Sequence, residues 1–230
     1  MRLAKLYPKA LLHLMKPTYR YKIARVTIGL IVIGGTVFGK GDPEVGNFRF
    51  ADAAGLTGKI SLMVDTSKLK PAGFAPGDTT GAIGIQPGSH RFTVASTEAG
   101  SASAMIPLRA NTSTTVIAYC GLGIDPQTHQ PKKVLQLLQR ANPPPNGGRH
   151  FQLLYVSSQP GVDINLNGAP TQVKSMQEMN AAELPAGSIS VSQAGKSIVN
   201  FTAPQAGNFL VVLYDTAAGP LAGLVLPDYK

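Results

Sequence analysis

The stretch Gly161-Val162-Asp163-Ile164-Asn165-Leu166-Asn167-Gly168 alternates apolar and polar residues, then stops at Asn-Gly. Period-two alternation is the pattern of a half-buried strand, because successive side chains point to opposite faces. Asn-Gly is a tight-turn signal, since both residues tolerate left-handed backbone. Earlier in the chain, Ile60-Ser61-Leu62-Met63-Val64-Asp65 reads the same way. Ile60, Leu62 and Val64 would face one core and Val162, Ile164 and Leu166 another, with Ser61, Asp163 and Asn165 turned to water.

Working outward, the two copies stay in step. Gln86-Pro87-Gly88-Ser89 corresponds to Leu184-Pro185-Ala186-Gly187-Ser188. Thr115-Val116-Ile117-Ala118-Tyr119 corresponds to Leu210-Val211-Val212-Leu213-Tyr214. The spacing between matches shrinks from 102 to 95 residues, so the second copy has shorter loops. In the first copy, strands are expected at 47–52, 59–65, 82–86, 89–96, 102–108, 113–120 and 133–139. In the second they are expected at 150–157, 161–167, 180–184, 188–193, 196–202, 208–215 and 221–226, again seven. Two copies are too few for a solenoid. The expectation is a mainly β chain with two tandem Ig-like antiparallel β-sandwich domains, 47–141 and 149–230, joined by a Pro/Gly linker at 142–148. Three prolines would hold that linker extended and semi-rigid.

Charge locates a different element upstream. Of 21 basic residues, eight lie in 1–40 with no acid among them; the other 13 face all 12 acids, a net of +1. The whole-chain charge of +9 is therefore a basic tail on a nearly neutral body, which argues against a nucleic-acid partner. Ile23–Phe38 is apolar apart from Arg25 and two threonines. A transmembrane helix is expected at 23–39, after a basic cytoplasmic or interfacial segment at 1–22 and before a linker at 40–46. Ile28, Leu30, Ile31, Ile33 and Phe38 would face lipid, Tyr19 and Tyr21 would lie at the headgroups, and Arg25 would snorkel to the cytoplasmic edge. Six basic residues before the span, Arg25 at its cytoplasmic edge and Lys40 after it place the N-terminus in the cytoplasm and the body in the periplasm of a bacterial inner membrane. Gly29, Gly35 and Gly39 would permit close helix packing. Leu11, Leu12 and Leu14 lie between Pro8 and Pro17 and could rest on the inner leaflet or meet a partner. The rival reading is a cleaved signal peptide, but its first A-x-A site, Ala51-Asp52-Ala53, stands far past the apolar core.

The second copy resembles an extracytoplasmic bacterial β-sandwich family of unknown function, often found as tandem repeats. The residues that carry the resemblance are Val162–Gly168, Leu184–Gly187 and Ala206–Leu213, with Asn165 in place of the usual aromatic. It extends over 149–230 and more loosely over 47–140. Pro160–Gly168 followed by Leu184–Gly187 is also similar to PEGA-type surface modules. Both resemblances imply a fold and supply no catalytic residues.

Motifs of chemistry are sparse. One cysteine, Cys120, allows no intrachain disulfide and reads as a buried structural thiol. His13, His90, His129 and His150 are scattered without ligand spacing, so neither a metal nor a cofactor is expected. No P-loop, G-x-S-x-G or GxGxxG motif occurs. Two long loops are expected, Thr66–Thr80 with Phe74 and Ala169–Met179 with Met176 and Met179. Phe74 could anchor a partner or fold back to cap the sandwich, and the same choice holds for the two methionines. These features together point to a non-catalytic, single-pass accessory or scaffolding subunit of a larger membrane complex, for example respiratory or photosynthetic. Its partners would be lipid and other membrane subunits. The alternative is an anchored or secreted module that binds a ligand or cell wall.

Overall fold

The computed structural model describes residues 44–144, 147–181 and 187–228. The expected transmembrane span, with Tyr19, Tyr21, Arg25, Gly29, Gly35 and Gly39, lies outside the described residues, as do Leu11, Leu12 and Leu14. Residues 42–230 form one compact unit.

Among the described residues its elements are all strands. The first half contains β1 (Gly46–Ala53), β2 (Ile60–Val64), β3 (Ser67–Phe74), β4 (Ile83–Ile85), β5 (Gly88–Ser96), β6 (Gly100–Leu108), β7 (Ser113–Ile124) and β8 (Pro131–Ala141). The second contains β9 (Arg149–Val156), β10 (Gly161–Leu166), β11 (Ala169–Lys174), β12 (Glu178–Ala181), β13 (Ser188–Gln193), β14 (Lys196–Thr202), β15 (Gly207–Asp215) and β16 (Leu221–Asp228). The sheets are β4-β1-β7-β8 and β3-β2-β5-β6 in the first half, β12-β9-β15-β16 and β11-β10-β13-β14 in the second. Strand for strand, the two orders are the same, so the repeat read in the sequence is a repeat of topology.

Among the described residues, each half has eight strands where seven were expected. The two added ones, β3 and β11, occupy the stretches expected as loops. Lys68, Lys70 and Pro71 make β3 look like a loop, but it is an edge strand, exposed over most of its length. Edge strands tolerate proline and carry charge because one side of their backbone is unpaired. The expectation of antiparallel pairing alone also needs correction. β1 runs parallel to β7 and β9 runs parallel to β15, closing each inner sheet.

The turn residue at the end of the quoted motif has a defined role. Asp65 and Asn167 both take left-handed backbone, with φ of 53° and 50°. Each side chain accepts a backbone N–H from the neighbouring strand, Arg91 to Asp65 Oδ1 and Ser190 to Asn167 Oδ1, both at 2.8 Å. An Asp or Asn is favoured there because a short side-chain carbonyl suits both the φ and the bond.

Two cores lie inside the sandwiches. Phe48, Phe50, Ile60, Leu62, Phe92 and Val116 are central to the first, and Phe151, Leu153, Ile164, Val191, Phe209 and Val211 to the second. A third core joins the halves. Ala51, Ala53 and Ile117 from one inner sheet pack against Leu154, Val156, Leu210, Val212, Tyr214, Leu224 and Leu226 from the other. The inner strands are thus apolar on both faces, and the body is four stacked sheets. Asn208–Tyr214 is buried throughout, where one wet face per strand was expected.

Candidate functional site

The junction between the inner sheets brings polar side chains from both halves together at its entry end, and at its far end each half carries a polar group on the strand face turned to its own core. β1, β7, β9 and β15 all run the same way, so each end collects the same ends of four strands.

At the entry end, Arg49 and Arg140 are 5% and 8% exposed. Burial of a guanidinium requires full satisfaction, because an unpaired buried charge is costly. Arg49 Nε donates to Thr115 Oγ1 at 2.8 Å and Nη1 donates to the carbonyl of Pro227. Arg140 Nε donates to Glu178 Oε1 at 2.5 Å, Nη1 to Asn142 Oδ1 at 3.1 Å and Nη2 to Gln152 Oε1. Asn208 Nδ2 reaches the carbonyls of Pro143 and Pro144 at 3.1 and 3.2 Å. The start of the expected linker is therefore tied down, and the two halves are not free to swing about it.

At the far end, Tyr155 donates to the two carboxylate oxygens of Asp215 at 2.9 and 3.0 Å, and Ser157 donates to Asp215 Oδ2. Burial of Tyr155 pushes its hydroxyl up to about 12, so it stays a donor. Strand register shows what matches this group in the first half. Asp52 is paired with Ala118 and Tyr155 with Leu213, and Ala118 and Leu213 are themselves matched by the repeat. Asp52 therefore stands where Tyr155 stands, and Cys120 where Asp215 stands.

Asp52 is 1% exposed. Its Oδ1 accepts the Ala54 N–H at 3.0 Å, while Oδ2 has no hydrogen-bond partner among the described residues. Desolvation, with a smaller contribution from the nearby Asp78 carboxylate, pushes Asp52 up to about 7. Burial pushes the Cys120 thiol up to about 11, which keeps it protonated and unreactive, as expected of a structural thiol. Cys120 is half-buried and sits within β7, which continues to Ile124, four residues past the expected end. A cleft of about 60 Å³ at this end is lined by Ala53, Cys120, Lys133, Ser157 and Asp215, among others. It has room for a few waters and is too small for a metabolite, which needs about 300 Å³ or more. Open depressions of about 420 and 370 Å³ lie beside Lys59 and Lys68 and beside Arg49 and Leu226.

The residues proposed from sequence as partner contacts are not brought together. Phe74 is buried at 2% exposure and packs edge-on against Phe50, with ring centroids 4.9 Å apart. It caps the first core and offers no surface to a partner, because its place at the end of edge strand β3 turns it inward. Met179 is half-buried against the second core. Met176 is 42% exposed, and its N–H donates to the carbonyl of Tyr155 at 2.8 Å. Sequence reasoning missed Asp52, Tyr155, Asp215 and the two buried arginines. The available signal was a charge inside an apolar run, as in Phe48-Arg49-Phe50-Ala51-Asp52-Ala53.

Among the described residues, no group of three or more His, Cys, Asp or Glu could hold a metal ion, and no helix is long and apolar enough to cross a membrane. No known family model matches the chain, and no curated protein matches it significantly.

Proposed function

We propose that the chain is a non-catalytic scaffolding subunit, held to a membrane by its N-terminal segment and presenting a stiff double sandwich on the extracytoplasmic side. The observation that carries this reading is the third hydrophobic core. Two loosely tethered sandwiches could each move by themselves, whereas a shared core of Ala51, Ile117, Leu154, Val212 and Leu224 makes them move as one. A stiff body suits bracing a partner at a fixed distance from its anchor. The tail supports the anchoring half of the proposal: six basic residues precede the apolar run 23–38 and Arg25 lies near its start, as the positive-inside rule requires. The resemblance of 149–230 to extracytoplasmic β-sandwich repeats points the same way.

The open depression beside Lys59 and Lys68 favours the second reading, an anchored module that binds an anionic ligand. Extraction in a mild detergent, followed by size-exclusion chromatography and mass spectrometry, separates the two. A scaffolding subunit elutes with other membrane proteins in fixed ratio. Elution as a lone 24.1 kDa chain in its micelle overturns the subunit reading. N-terminal sequencing of the mature protein tests the anchor, since a start near Ala54 would mean that the apolar segment had been removed.

A further inference from the structure

The residues between β3 and β4 form a strap along the open side of β1. Gly77 N–H donates to the Asp52 carbonyl, Asp52 N–H to the Asp78 carbonyl, and Thr80 N–H to the Phe50 carbonyl, each at 2.9 Å. The Phe50 N–H donates to Thr80 Oγ1 at 2.8 Å. The strap also runs near the second half, since a Cβ built on Gly77 would stand 3.1 Å from the Tyr214 hydroxyl. The side chain of the β1 residue that it pairs with is the buried Asp52 carboxyl.

The duplicated half is the internal control. There the Met176 N–H donates to the Tyr155 carbonyl, the same bond that Gly77 makes to Asp52. Beneath that strap stands a tyrosine whose hydroxyl is fully used by Asp215. The fold thus has a solution at this position that needs no buried acid. In the first half it holds a carboxyl with one oxygen unpartnered among the described residues, the arrangement that ionisation would disturb most.

We propose that the strap Ala75–Thr80 is a protonation-controlled latch, closed along β1 beside a neutral Asp52 carboxyl and released from β1 when that carboxyl ionises. The proposal does not depend on the scaffolding reading. The charged and titratable groups around Asp52 agree with it. On the strap, Asp78 is ionised and bonded to Lys70 and to the Ala75 N–H, so a second negative charge beneath it is repelled. From β15 comes Tyr214, whose hydroxyl is pushed up by burial and by Asp52. From β7 comes Cys120, a neutral thiol that also feels Lys133 and Glu98. None of these is a cation paired with the Asp52 carboxyl.

Amide hydrogen exchange of the full-length protein in detergent tests this. After correction for intrinsic rates, protection of the Gly77 and Thr80 amides should fall by up to about tenfold per pH unit between about pH 4 and 7 and level off above about 7. Protection of the Met176 amide in the other half should stay level. In Asp52→Asn, all three should be level. Infrared difference spectra give a second readout that needs no folded variant: a protonated carboxyl band should persist at pH 6 and disappear by about pH 8. Strap protection that is independent of pH in the wild type, or equally pH-dependent in Asp52→Asn, would overturn the latch. So would a carboxyl band absent at pH 6.

Discussion

The backbone carbonyl of Asp215 occupies the place where a side chain on Gly55 would begin. A Cβ built on Gly55 would stand 1.8 Å from that oxygen, and Gly55 has a φ of +60°. The chain leaving β1 and the end of β15 therefore touch backbone to backbone, which only glycine allows.

Gly55→Ala is expected to lower stability by about 3 kcal/mol or more, combining the strained φ with displacement of β15. Gly168→Ala is the control. It also has positive φ, +84°, but open space where the Cβ would go, and it should cost about 1 kcal/mol. Urea unfolding of both variants checks the difference.

Leu154 is 1% exposed and belongs to the core shared by the halves. Leu154→Ala should cost about 2–5 kcal/mol, the usual range for a buried leucine with its cavity. Because the lost contacts join two sandwiches, the single unfolding transition should broaden or split. Thermal unfolding followed by calorimetry would show it, and a shift with unchanged sharpness would argue against a shared core.

Asp52 gives stability a definite pH dependence. Its carboxyl is pushed up to about 7 in the fold from an ordinary 3.8. Between those values the native state keeps a proton that the unfolded chain has released, so stability falls as pH rises. Its contribution is fully present below about 3.8, declines up to about 7 and is level above, by at most about 4 kcal/mol. Asp52→Asn should remove that slope. Denaturant titrations at pH 5, 6, 7 and 8 measure it, and an unchanged slope in the variant would assign it to another group.

Cys120 should resist thiol reagents in the native state. With the thiol pushed up to about 11, the thiolate fraction at pH 8 is about a thousandth. Labelling by a maleimide should therefore be slow until denaturant is added. Rapid native labelling would mean that the half-buried β7 segment opens readily.

Much of this was legible in the chain itself. Alternation in Ile60–Val64 and Gly161–Leu166 marked strands and their core faces, since period two is a local property of extended backbone. The Asp65 and Asn167 turns and the matched order of segments revealed the duplication. The basic residues of 1–40 separated a tail from a body. What was hidden depended on neighbours distant in sequence. β3 and β11 are edge strands stabilised by their partners, so their lysines and prolines read as loop. The parallel pairs β1–β7 and β9–β15 join strands more than fifty residues apart, and no local pattern encodes parallel register. The junction had one visible trace, the unbroken run Phe209–Tyr214, which signals burial on both faces without naming what covers the second. Only folding decided that the cover was the other half, because the apolar faces of two inner sheets lose water most completely against each other. Packing on the other face of β1, the one that Asp52 shares with Phe48 and Phe50, put Asp52 Oδ2 out of reach of water and of any hydrogen-bond partner among the described residues.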